Sequence, residues 1–329
     1  MRDRFHHLLL RLILILMVMG AAGILHLRLG ATSIDWSDVR DAVFRYSADM
    51  PVHNIVIEMS LPRFLAAVMV GAALGLSGLL MQGLTNNPLA DPGVMGVNAG
   101  ASFFVVVGLA ALPGATLAMI PWLAGAGALT AAGCVMLNAG SGSGPSRLVL
   151  TGVMVGALFS AMTTAVLLLD QQGLETLRRW LVGSLAFDSA QMRRLTLPLL
   201  ALAGLIAVAN IPALNLFRLG ERSAALMGLD VARLRLTTLC AVVLAAASAV
   251  SIAGPIGFVG FVAPNLARLF FGTDFRWLVP ATPLLGALLL VLGDIVSRVA
   301  VRPLELNTGI VTALIGGPVF VLLVLRRVR

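Results

Sequence analysis

The sequence predicts an all-α protein that crosses a membrane about ten times, and three observations carry that reading. Of 329 residues, 59% are apolar and only 12% are charged, about half the charged share of a water-soluble domain. The mean hydropathy of +0.99 is more apolar sequence than the surface of a soluble chain of this size could cover. The charges also cluster, leaving charge-free intervals at about 12–27, 64–90, 92–146, 148–169, 195–217, 236–267, 277–293 and 306–325. A helix crossing the hydrocarbon needs about 20 residues. The 34 glycines and the many alanines suit helices that approach closely in lipid.

Taken in order, Arg2, Arg4 and Arg11 flank a first apolar run from Leu8 to Leu27, which could be a signal peptide but by its length and the many later spans reads as a retained first helix. Residues 30–61 include a short surface helix beginning near Trp36, which Ser33 or Asp35 could cap. The 92–146 interval must hold two helices, with the break at Leu112-Pro113-Gly114, because proline has no amide hydrogen to continue the ladder. The 236–267 interval reads as one full helix, a break at Gly254-Pro255, and a shorter helix ending near Pro264. Together these make ten spans in a single domain, 1–329.

An even count places both termini on one side, and the terminal arginines (2, 4, 11, 326, 327 and 329) favour the cytoplasm. That orientation puts 82–92, 139–147, 212–235 and 268–276 inside, and 28–63, 171–194 and 299–305 outside. The arginine bias is imperfect, since Arg28, Arg40, Arg45, Arg63, Arg178, Arg179, Arg193, Arg194 and Arg302 fall outside. Several of these, with Arg298, could present a positive rim to an acidic partner.

Several chemistries lack their residues. The formal charge is +8, but arginine supplies all 23 basic residues, and no basic block interleaves with aromatics as nucleic-acid binding would require. Without lysine there is no P-loop lysine, so the chain is not itself a standard nucleotide-hydrolysing engine. No HExxH or serine-hydrolase elbow is present, and the glycine runs lack the strand–helix unit of a dinucleotide site. Cys134 and Cys240 have no CxxC partner and read as small buried hydrophobes. His6, His7, His26 and His53 form no ligand cluster by spacing. The chain is expected to be no enzyme and to bind neither metal nor cofactor.

Four stretches carry local signals. In 71–92, GAALGLSGLLMQGLTNNPLADP, Gly71, Gly75 and Gly78 make a smooth helical stripe, followed by Gln82 and a rigid turn through Asn86, Asn87, Pro88, Asp91 and Pro92. In 221–232, ERSAALMGLDVA, a short amphipathic element carries Ala224, Ala225, Leu226, Met227 and Leu229 on an apolar side, with Glu221 at its start to match the helix dipole. A helix this short needs other protein to hold it, which makes the 212–235 loop a candidate docking surface. In 254–268, Gly254, Gly257, Gly260, Pro255 and Pro264 break an apolar segment, a pattern that persists where backbone lines a cavity or is covered by protein. Asp294 and Arg298 are four residues apart, the spacing of a helical ion pair; such an aspartate is poorly suited to shuttling protons. Asp170 closes its span as an interface residue. A faint echo relates Ser77-Gly78…Pro88 to Ala253-Gly254…Pro264, the kind of repeat that occurs inverted in transporters.

The stretch LPRFLAAVMVGAALGLSGLLMQGLTNNPLADPGVMGVNAG at 61–100 resembles the FecCD-type permeases, membrane subunits of bacterial importers for iron–siderophore complexes, haem and vitamin B12. LGERSAALMGL (219–229), IAGPIGFVGFVAPNLAR (252–268), GDIVSR (293–298) and NTGIVTALIGGPVF (307–320) extend the resemblance over nearly the whole chain. Asn265 stands where the family frequently has histidine. The resemblance implies the type II ABC importer permease fold in the bacterial inner membrane. It implies a second copy of the chain as dimer partner, two cytoplasmic ATP-binding subunits that use ATP and Mg, and a periplasmic or lipid-anchored substrate-binding protein. It also implies that Glu221, Ala224, Ala225, Leu226, Gly228 and Leu229 couple to the ATPase, and that Gly75, Gly78, Gln82, Asn87, Pro88, Gly257 and Pro264 line or support the pathway and gate. Arg63 and Arg298 are the implied docking points for the binding protein. The expected cargo is an iron chelate of the siderophore class, moved by alternating access. Haem or cobalamin import is the alternative, and a secondary transporter needing no ATPase is a more distant one, because the charge-free intervals lack the midspan ionisable groups it would use.

Overall fold

The computed structural model describes residues 2–30, 34–111, 119–139, 145–169, 180–187, 190–302 and 304–328. The predicted break at Pro113-Gly114 and the side chains of Asp170, Arg178 and Arg179 lie outside the described residues. The described chain is helical throughout its ordered elements. Its helices are α1 (Arg2–Arg28), α2 (Trp36–Phe44), α3 (Pro51–Asn54), α4 (Leu61–Thr85), α5 (Val97–Ala111), α6 (Ile120–Ala139) and α7 (Pro145–Leu169). After these come α8 (Ala190–Ala209), α9 (Ile211–Phe217), α10 (Glu221–Leu226), α11 (Val231–Ala253), α12 (Val259–Phe271), α13 (Phe275–Val299) and α14 (Thr308–Val328).

Among the described residues, seven helical runs are long and apolar enough to cross a membrane: α1, α3 through α4, α6, α7, α8, α11 and α13. Three shorter apolar helices, α5, α12 and the first part of α14, bring the number of apolar segments to ten. Burial sorts them into two layers. The most apolar windows of α4, α11 and α13 are 72%, 78% and 61% buried, whereas those of α1, α7 and α8 are only 17%, 17% and 22% buried. The second group shows leucine, isoleucine and valine to the surroundings because its solvent is lipid. The core is the inner group, with α12 packed between α4 and α13.

Local chemistry sets the ends. Asn86, in the left-handed region at φ 49°, terminates α4 just before Pro88. Asp230 and Asp274 cap α11 and α13 by accepting the amides of Arg233 and Arg276, at 3.0 and 2.9 Å. Asp35 stands at the N-cap of α2 as predicted, but its side chain makes no cap hydrogen bond. Gly254 closes α11 at φ +69°, a backbone shape only glycine adopts cheaply.

Two expectations need correction. The helix after the Gly254-Pro255 break does not end near Pro264; it runs through that proline to Phe271. Pro264 cannot bond the carbonyl of Gly260 four residues back, and that carbonyl instead faces α4 at Gly78, where a side chain would lie 1.8 Å from it. The helix tolerates its proline because a neighbouring helix covers the unpaired carbonyl. The Ser77-Gly78/Ala253-Gly254 echo is also not structural. Gly78 lies inside α4 against Gly260, whereas Gly254 ends a helix.

Candidate functional site

Four constellations distribute along the bundle axis. Midway, the glycine stripe of α4 is the surface against which α12 and α13 close. A β-carbon on Gly71 would lie 2.4 Å from the Gly286 carbonyl, one on Gly75 2.8 Å from that of Thr282, and one on Gly286 2.2 Å from that of Gly71. Backbones this close are possible only without side chains, and the contact is van der Waals and Cα–H···O in kind. Gly75 and Gly78 are therefore buried supports within the chain. Gly257 differs: it is exposed, with no neighbour where a β-carbon would stand. Phe258 beside it is held at φ 68°, a strained conformation for a non-glycine residue, and its side chain fills the space that Gly316 of α14 leaves.

At one end of the bundle, α4 meets the second half of α12. Arg268 donates to the Gln82 side chain, whose amide reaches the Phe261 carbonyl at 3.4 Å. Asn265 donates to the Pro88 carbonyl at 3.0 Å, pinning the turn to α12. Pro264 is buried beneath them, and Asn87 is exposed. A cavity of about 250 Å³ opens among Gln82, Pro88, Arg218 and Arg268. The spacing of the turn was legible in sequence; its attachment to Asn265, and the bond of Arg268 to Gln82 beside it, were not.

At the same end lies the short element foreseen at 221–232, and it is smaller than expected. The helix α10 stops at Leu226, Gly228 turns the chain at φ +86°, and Val231 already begins α11. Its apolar side divides: Ala224 is fully buried and Leu229 packs partly on the core, while Ala225, Leu226 (86% exposed), Met227 and Gly228 point away from the chain. Glu221 anchors the element to α11 by accepting from Arg235 at 2.6 Å.

At the other end, α1, α4, α13 and α14 are tied by one buried carboxylate. Arg63 of α4 grips Asp294 of α13 in a bidentate pair, both bonds at 2.9 Å. His26 of α1 approaches the same carboxylate at 2.9 Å, and Thr308 of α14 donates to it at 2.7 Å. The ion pair expected between Asp294 and Arg298 does not form. Asp294 is instead saturated by Arg63, while Arg298 donates to the His26 carbonyl at 3.1 Å and to Ser60 at 3.3 Å. Glu305 bridges both arginines, 2.6 Å from Arg63 and 3.7 Å from Arg298. The guanidinium groups thus face inward, with side-chain exposures of 12% for Arg63 and 7% for Arg298, rather than outward as a docking surface requires. Sequence reasoning missed His26, Glu305 and Thr308: His26 lies 268 positions from Asp294 and Glu305 242 from Arg63, while Thr308, only 14 from Asp294, reaches it across a break between helices that has no periodic spacing.

Among the described residues, seven helical runs long and apolar enough to cross a membrane, joined by three shorter apolar helices, define a multi-pass membrane protein. The chain belongs to the FecCD transport family, whose profile matches residues 14–326. It is 40% identical over 320 residues to the ferric enterobactin transport system permease protein FepD of Escherichia coli, covering 96% of this chain and 95% of that protein. It is 36% identical over 329 residues to the hemin transport system permease protein HmuU of Yersinia pestis, covering 97% and 96%. Among solved structures, a metal-chelate type ABC transporter in an inward-facing conformation superposes with a TM-score of 0.84 at 29% identity, over 96% of this chain and 98% of the other.

Proposed function

We propose that the chain is the permease subunit of an ATP-driven importer that carries an iron chelate of the siderophore class across the inner membrane. The observation that carries this reading is the end-to-end similarity to the ferric enterobactin permease, joined to the fold shared with a metal-chelate transporter. In this reading two copies of the chain enclose the pathway, both termini are cytoplasmic, and a binding protein delivers cargo at the end that carries Asp294. Two ATPase subunits engage the opposite end, where Ala225, Leu226 and Met227 offer an apolar surface that none of the described residues covers. The permease supplies no covalent chemistry. ATP-driven closure of the partner subunits pulls on α10, which is anchored to α11 through Glu221 and Arg235, and α11 packs along α4.

Docking of the binding protein through Arg63 and Arg298 requires an exchange of partners. Glu305, 32% exposed, is the carboxylate an incoming acid would replace, while Asp294 keeps Arg63 in place.

The test is uptake by the complex reconstituted in vesicles, offered labelled ferric siderophores, haem and cobalamin. Ferric siderophore uptake that depends on ATP is the expected result. Preference for haem or cobalamin would reassign the cargo, and vigorous uptake without any ATPase would sink the mechanism. Leu226→Arg is expected to abolish uptake and leave membrane insertion intact; unchanged transport by this variant would remove α10 from the coupling route.

A further inference from the structure

A cavity of about 1060 Å³ lies between the first half of α1 and the corner joining α12 to α13, and none of the α10 residues line it. Among the described residues that line it, four are arginines, Arg11, Arg218, Arg268 and Arg276, and one is a carboxylate, Asp274, an excess of three positive charges (4 − 1) in that lining. That carboxylate is already occupied, accepting from Asn215 at 2.7 Å and from the Arg276 amide at 2.9 Å. Two of the cations meet neutral groups: Arg11 donates to the Phe270 carbonyl, and Arg218 to the backbone and hydroxyl of Thr273. Among the described residues Arg11, Arg218 and Arg276 pair with no carboxylate. The wall is as telling as the charge. Leu269 and Phe270, 73% and 48% exposed, flank the arginines, and α1 shows its leucines to lipid directly above.

From this juxtaposition we propose that the cavity holds the phosphate headgroup of an anionic phospholipid, its acyl chains lying along the exposed face of α1. A guanidinium binds phosphate through paired N–H donors, and basic pockets between helix ends favour anionic headgroups at a membrane surface. A soluble anion would use the charge but leave the apolar flank without purpose. The volume, just above the usual range for small-ligand sites, leaves room for a headgroup with its glycerol. The inference holds whichever cargo the protein carries.

The test uses the full-length chain, delipidated in detergent and titrated with phosphatidylglycerol, phosphatidylcholine or inorganic phosphate, with bound lipid counted by native mass spectrometry. Phosphatidylglycerol is expected to bind in preference to phosphatidylcholine and to resist displacement by millimolar phosphate. Each arginine near a charged surface contributes about fivefold, so Arg11→Gln or Arg276→Gln should weaken binding about fivefold and the pair about thirtyfold. Arg45→Gln, on the far side of the bundle, should change nothing. In the unmodified chain, raising the salt must also weaken binding, as screening requires, so the idea does not depend on any variant folding. Equal binding of phosphatidylcholine, full displacement by phosphate, indifference to salt, or loss of the lipid when an ATPase subunit is added would each overturn the assignment.

Discussion

The two ends of the helical bundle handle arginine in opposite ways. At the end that carries Asp294, Arg63 and Arg298 are buried and meet Asp294 and Glu305, two cations against two anions within one hydrogen-bonded network. At the other end, Arg11, Arg218 and Arg276 line an open cavity, where Arg11 and Arg218 lean on backbone carbonyls and a hydroxyl. A closed network fixes one arrangement of four helices, because removing its fully buried carboxylate, Asp294, strands Arg63 away from water. An open cluster of cations fixes nothing by itself and waits for an external anion. The difference suits a protein held together firmly at one end and worked upon at the other.

The largest expected effect comes from breaking the closed end. Asp294→Asn should lower stability by about 3–5 kcal/mol, the usual result of removing one partner of a buried pair, read from denaturant titration in micelles. A loss under 1 kcal/mol would mean that the network is not what ties α1, α4, α13 and α14.

A packing control separates charge from shape. Gly78→Ala places a methyl group against the Gly260 carbonyl and should cost at least about 1–3 kcal/mol. Gly133→Ala in α6, where no atom stands within 4 Å, should be neutral or stabilise by up to about 1 kcal/mol. Equal effects at the two glycines would contradict the close crossing of α4 and α12. The smallest effect is expected at Glu305→Gln, whose carboxylate is a third exposed; about 0–1 kcal/mol in the same titration would rank it well below Asp294. If Glu305 proved as costly as Asp294, the network would be tighter and less exchangeable than binding-protein docking demands.

How much of this was legible follows from range. The glycine offsets at 71, 75 and 78 and the Asn-Asn-Pro turn are local, and each has the conformation its spacing dictates. The Asp294–Arg298 pairing was a local inference that failed, since helical spacing makes an ion pair available without making it the best one. Arg63 offers two parallel bonds from across the bundle, and a bidentate pair outcompetes a neighbour one turn away. Pro264 misled for the same reason, because a local rule about proline did not know that α4 would cover the freed carbonyl.

By itself, then, the sequence determined the solvent, the number of apolar segments and the places where backbone would bend, because hydropathy and proline or glycine geometry act over a few residues. Which carboxylate each arginine found, and which helix each glycine admitted, was decided only when segments hundreds of residues apart were packed side by side. Those choices depend on distances through space, and no spacing along the chain encodes them.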